Sequence, residues 1–298
     1  MATLLGIIHG IDYALTSWLV GFVIFYFLIV GAGGLTAKNL LSDFPKRVRN
    51  LSFLTFVSSA IWMVLSAHDM AESWSLTELW RAMAMTSFGH LWCARIIVLL
   101  ALVLFSTILL RRVVGAIVCG LLVCVLPLLS VLSGHAGSQT NDLFLRVSTD
   151  YLHAMCVGIW GGGLWMLYVW LGKRLSEARF DQTLSLKVVN RFSHFAMAST
   201  FLISLTGVLT AWLNGVPLLT PWTSLYGQLI MVKILFFGAA LLAAAVNQFI
   251  HLKHWRTENE LVSVKAMRRE VRLEFILILF VFATVGFLAR TGLPGEGS

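Results

Sequence analysis

Asp150 and His153 stand three residues apart in TDYLHAMCVGIW, and Cys156 and Trp160 continue the stripe at helical spacing. Residues three or four apart on a helix share a face. A carboxylate, an imidazole, a thiol and an indole therefore line up, and the chemistry they suit is metal ligation. A carboxylate beside an imidazole fixes its tautomer and strengthens it as a ligand. Imidazole with occasional thiolate or thioether suits copper, while imidazole alone also suits zinc or haem iron. His9 and Asp12 repeat the pairing, and His68 runs directly into Asp69 and Met70. His135 lies in LSGHAGS, where glycines let the backbone fold over a helix end. With His90 these make five candidate metal ligands: His9, His68, His90, His135 and His153. Asp12, Asp69 and Asp150 are the carboxylates expected to support them.

The elements that position these residues are membrane helices. Of the 298 residues 58% are hydrophobic and only 12% charged, with mean hydropathy +0.86, against about 25% charged in soluble domains. A span needs about 20 mostly apolar residues, and eight stretches qualify, at roughly 9–35, 50–68, 90–110, 113–133, 147–172, 191–213, 229–252 and 272–290. In lipid such segments must be helical, because an open sheet edge leaves backbone groups unsatisfied. The expected fold is thus all-α, a polytopic bundle of eight transmembrane helices forming a single transmembrane domain over 1–298. The first stretch is too long for a cleavable signal peptide and is taken as the first span.

The basic residues orient the bundle. Seventeen of the 22 fall in the connections after spans one, three, five and seven, against three (Arg81, Arg146, Arg290) on the opposite side. By the positive-inside rule the first set is cytoplasmic, which puts both termini on the periplasmic side. The pI near 9.6 then reflects topology rather than nucleic-acid binding. Carboxylates outnumber basic groups on the outer face, which favours arriving cations. The four cysteines (Cys93, Cys119, Cys124, Cys156) all sit in apolar runs without a CxxC pair, which supports neither a disulfide framework nor a zinc ribbon.

With this orientation the five candidate ligands come from five helices at the outer end, His153 about two turns deep. Ionisable groups at membrane depth are costly and tend to face the bundle interior. Cys156, Trp160 and Lys233 are candidates for a path inward. Lys233 and Arg95 each lie about a turn into their spans, free either to snorkel outward or to pair with Asp12, Asp69 or Asp150. Pro127 is expected to kink the fourth span and free carbonyls. Gly161–Gly163 should admit a neighbouring helix close to the fifth. The stretch Glu270–Glu274 reads as solvated cytoplasmic surface. His194 and His251 lie towards the inner face. Paired there, with a second pair outside, they would suit a b-type haem protein carrying electrons, since haem needs two histidines on facing helices at matched depth.

Three stretches resemble the copper resistance protein D (CopD) family of inner-membrane proteins. In DYLHAMCVGIWGGGLW the matching residues are Asp150, His153, Trp160, Gly162 and Gly163. In RFSHFAMASTFLISLTGVLTAWL they are Arg191, Phe192, Ser193, Thr206, Gly207, Ala211 and Trp212. In YGQLIMVKILFFGAALLAAAVNQ they are Tyr226, Gly227, Lys233 and Asn247, before a basic run into Glu274. SGHAG around His135 is also similar. The specific part of the resemblance covers roughly 130–290, while the first four spans agree mainly in number and orientation. The resemblance implies copper uptake or transport across the bacterial inner membrane, in copper homeostasis or resistance, with copper ion as the bound species. It also implies a separate periplasmic copper-binding partner of the CopC type, since no such soluble domain is present in this sequence. Neither a nucleotide-binding loop nor an aspartyl-phosphate motif appears, so the expectation is a permease without catalytic residues, rather than an ATP-driven pump or another enzyme.

Overall fold

The computed structural model describes residues 2–39, 43–110, 112–134, 137, 141–176, 181–217, 219–258, 261–289 and 291. Among them there are helices and turns and no strand. The helices are α1 (Ala2–Asn39), α2 (Phe44–Ala71), α3 (Leu76–Ala84), α4 (Ser87–Leu109), α5 (Val113–Leu132), α6 (Leu143–Leu175), α7 (Gln182–Leu213), α8 (Leu225–Thr257) and α9 (Leu261–Leu288). All but α3 are long and apolar enough to cross a membrane, giving the expected eight spans. Local chemistry sets several starts. Thr86, Asp181 and Ser224 each accept a backbone N–H three residues on, capping α4, α7 and α8. Pro45 sits in the first turn of α2, where its missing N–H has no helical partner to lose.

Several helices extend beyond the apolar runs that define them. α1 starts at Ala2, so His9 lies two turns inside rather than opening the span. α2 and α9 take Lys46, Arg47 and Arg49, and Lys265 to Arg272, into their first turns. Basic side chains with long stems can remain helical there while their heads reach water. The short amphipathic α3 lies in the connection between the second and third spans, with exposed Trp74, Leu76 and Trp80 in and beside it. Aromatic residues at this level suit the membrane–water boundary.

α1 and α6 form the centre, each two-thirds buried over its membrane window. Lipid tails are as apolar as leucine, so helices associate by close packing rather than by escape from water. Small residues permit it here, as the glycine run on α6 predicts. A Cβ on Gly162 would lie 2.3 Å from the Ser17 carbonyl oxygen, and one on Gly21 would lie 2.3 Å from the Gly162 carbonyl carbon. α1 also packs on α2, α5, α7 and α9, while α2 packs on α4, α4 on α5, α7 on α6 and α8 on α9. Outward faces carry exposed Leu104, Val114, Phe201, Leu235 and Leu242, as a lipid-facing surface requires.

Arg95 does not snorkel. It is fully buried and ion-paired to Asp12 at 2.9 Å. Its five N–H groups find five acceptors: Ser59 at 3.1 Å, the Leu126 carbonyl at 2.9 Å, Ser130 at 2.7 Å, Asp12, and Thr16. Ser59 donates in turn to Asp12. A guanidinium has five donors and no acceptor, so every polar hydrogen is satisfied and α1, α2, α4 and α5 are joined at one point. The Leu126 carbonyl lies beside Pro127, which is carried inside α5. Asp12 was expected to support His9; its carboxylate instead turns to Arg95 and Ser59. A buried guanidinium claims a nearby carboxylate because an unpaired charge there costs several kcal/mol. A second correction concerns Glu274, which is 2% exposed rather than solvated surface, because α9 carries it inward past the basic turn.

Candidate functional site

A file of polar side chains runs down the contact between α6 and α7. Arg146 donates to Asn214 at 3.2 Å and to the Leu213 carbonyl at 2.7 Å, and Asn214 donates to the Tyr226 hydroxyl at 3.2 Å. One turn further along α6, Asp150 accepts from Thr210 at 2.6 Å. Lys233 and Tyr226 of α8 and Tyr13 of α1 interact electrostatically with Asp150. Next comes His153, with Nδ1 2.9 Å from Thr206 Oγ1, then Cys156, hydrogen-bonded to Ser199. The α6 positions advance by three or four residues while the α7 positions recede, as two antiparallel helices with one shared face must. Polar groups in lipid are safest facing one another.

The partner of His153 fixes its chemistry. With the Thr206 hydroxyl donating to the Leu202 carbonyl of its own helix, its oxygen can accept from the ring Nδ1–H, and the Ile203 backbone is a second hydrogen-bond partner of the imidazole. A neutral imidazole so held carries its proton on Nδ1 and presents the Nε2 lone pair, the form that ligates a metal. Gly207 leaves the ring room, since a Cβ there would stand 3.5 Å from His153 Cε1.

Beyond Cys156, α6 makes a π-helical turn at Gly158–Gly162. Trp160 within it is buried, meets Phe237 edge-on at 5.6 Å, and lines a cavity of about 90 Å³. Asn247 and Gln248 line the same cavity from the π-helical turn Asn247–His251 of α8, with Ser193 from α7 and Glu274 from α9. Asn247 donates to Glu274, and Ser193 to Gln248.

The other expected ligands sit in separate settings. His9 lies against Trp62, ring centroids 4.4 Å apart, and Trp62 leads through Trp92 to Arg95. His68 stacks on Trp74 at 3.8 Å. His90 is exposed, its Nε2 2.7 Å from the Ala84 carbonyl. Asp69 is half-buried beside His68. His135 lies outside the described residues. Among the described residues no group of three or more His, Cys, Asp or Glu could hold a metal ion. His194 and His254 are exposed, each with Nδ1 near the carbonyl four residues back; His251 is half-buried. All four cysteines are free.

Thr210, Ser199 and the Asn247–Glu274 pair escape a reading centred on histidine. Their signal is nevertheless present: Ser199, Thr206, Thr210 and Asn214 recur at helical spacing along one span, and Glu274 directly precedes the run FILILFVF.

An eight-span α-helical membrane protein with a polar file between its central and peripheral helices is the class that fold and site define. Residues 1–145 match the family described as copper resistance protein D-like, N-terminal domain, and residues 186–288 match copper resistance protein D. The chain belongs to the copper resistance protein D family. It is 24% identical over 256 residues to copper transport protein CutJ of Bacillus subtilis (strain 168), covering 85% of this chain and 40% of that protein. This chain thus spans well under half the length of that relative. It is 22% identical over 253 residues to inner membrane protein YebZ of Escherichia coli (strain K12), covering 80% of this chain and 82% of that one. No solved structure matches.

Proposed function

We propose that the protein carries copper across the inner membrane. The basic end faces the cytoplasm, and copper enters from the periplasmic end, delivered by a separate CopC-type protein. His153 and His135 are the entry ligands. His9, His68 and His90, held in their own ring and carbonyl contacts, stand further back. Asp150 offsets the charge of Lys233, so that a cation can approach the Nε2 lone pair of His153 without meeting an uncompensated ammonium. Cys156 and Trp160 continue the path inward. The observation that supports this most is the α6–α7 file, which strings a carboxylate, an imidazole and a thiol at successive turns along one helix contact.

The test is copper flux into proteoliposomes holding the purified protein, with metal analysis and an absorbance spectrum of the same preparation. The wild type should take up copper, and His153→Ala should lose that uptake while still inserting and melting normally. Equal uptake by both would overturn the reading. A strong Soret band would replace it with haem-based electron transfer.

A further inference from the structure

Two carboxylates are almost fully buried among the described residues, Asp12 and Glu274. Asp12 has its counter-ion built in, in Arg95. Glu274 has none among the described residues, where the ion pairs are Arg95–Asp12 and Arg81–Glu78. Its one hydrogen-bond donor is the neutral amide of Asn247. That amide is nine-tenths buried, its oxygen Oδ1 has no hydrogen-bond partner among the described residues, and Asn247 is one of the residues lining the cavity. An unmatched buried acceptor is costly, and a buried carboxyl without a counter-ion must take up a proton or a cation. Both deficits have one sign, since each is relieved by a positive charge in the cavity. Two thioethers, Met197 and Met267, line the same space. Both π-helical turns, Gly158–Gly162 and Asn247–His251, also contribute to its wall. Such turns are rare and are frequently found at functional sites.

We propose that this cavity is a second, inner cation station, which holds a cuprous ion between the Glu274 carboxylate, Asn247 Oδ1 and the Met267 thioether. The inference rests on the copper reading above. Thioethers are soft ligands that select copper in its univalent state, whereas oxygen alone suits harder ions. A single positive charge also matches the single carboxylate, leaving the occupied cavity neutral. No electron changes hands: the ion arrives and leaves as Cu(I). The space of about 90 Å³ admits the ion with water, so it can rest there before release towards the basic end.

The experiment titrates Cu(I), kept reduced, into the purified full chain against a chromophoric chelator, and repeats the proteoliposome flux. The variants are E274Q, M267L and H153A. E274Q keeps the shape and the Asn247 contact but removes the charge. M267L conserves volume and removes sulfur, and serves if E274Q does not fold. Each should lose one Cu(I) equivalent, with flux falling about tenfold or more, while the His153-dependent equivalent remains. H153A should retain an equivalent whose X-ray absorption spectrum shows sulfur scattering, and that sulfur should vanish in H153A/M267L. Wild-type stoichiometry and flux in both E274Q and M267L would overturn the inner station and leave copper transport standing. A wild type that neither binds nor moves copper would overturn both. Sodium displacing Cu(I) from this site at equal concentration would also overturn the assignment.

Discussion

Replacing Thr206 by valine isolates one hydrogen bond. The two side chains have nearly the same shape, and the Leu202 carbonyl that Thr206 addresses keeps its helical partner, so packing is preserved. The loss is the acceptor 2.9 Å from His153 Nδ1. With it goes the support Thr206 gives to the Nδ1–H tautomer, and the half-buried ring is left with the Ile203 backbone as its partner. Removing such a support from a ligating histidine typically costs 10- to 100-fold in metal affinity, or about 1.4 to 2.8 kcal/mol. Copper affinity of T206V should fall by that factor, while T206S, which restores the hydroxyl, should recover most of it. The assay is chelator competition, with nitrogen NMR of the labelled imidazole reporting the tautomer and thermal melting as the folding control. T206V with unchanged tautomer and wild-type affinity would refute the assignment of His153 as a ligand oriented by Thr206.

Other outcomes follow from the same geometry. H135A/H153A should abolish copper-dependent growth effects in cells, whereas H254A should leave them nearly intact; equal loss from both would argue against an outer site. R95M leaves Asp12 buried without its counter-ion, and should lower stability by about 3–5 kcal/mol, read as melting in detergent, with part recovered in D12N/R95M. In a C93S background, a cysteine at S73C should react with an impermeant maleimide added outside intact spheroplasts and one at S176C should not; the reverse pattern would invert the proposed orientation.

The eight spans were legible because length and hydropathy alone decide them, and so was a close helix contact at the glycine run of α6, but not that α1 is the helix that makes it. Helix ends were less legible: the first turns of α2 and α9 are basic, and hydropathy ends where those helices do not. The stripe Asp150, His153, Cys156 and Trp160 could be placed on one face by spacing, but the partners of Asp150 and His153 could not, since Thr210 and Thr206 lie about 60 and 53 residues on. Arg95 illustrates the same limit: sequence offers three carboxylates, and only the packing of both α1 and α4 on α2 and α5 selects Asp12. Glu274 was misread because it closes a charged segment, and the turn that buries it depends on where α8 lies.

Burial over the membrane window is 67% for α1 and α6, but 22% for α7 and 11% for α8. α7 leans on α6 and α8 on α9, so the two outermost helices border the polar file without being held to the centre from all sides. Displacing either one exchanges side-chain contacts with lipid for similar contacts elsewhere, at little cost in apolar surface. The guanidinium clamp on the opposite flank allows no such freedom. Rearrangement in this molecule is therefore cheapest along the margin where the cargo would travel, and dearest at the anchor that keeps the other half still.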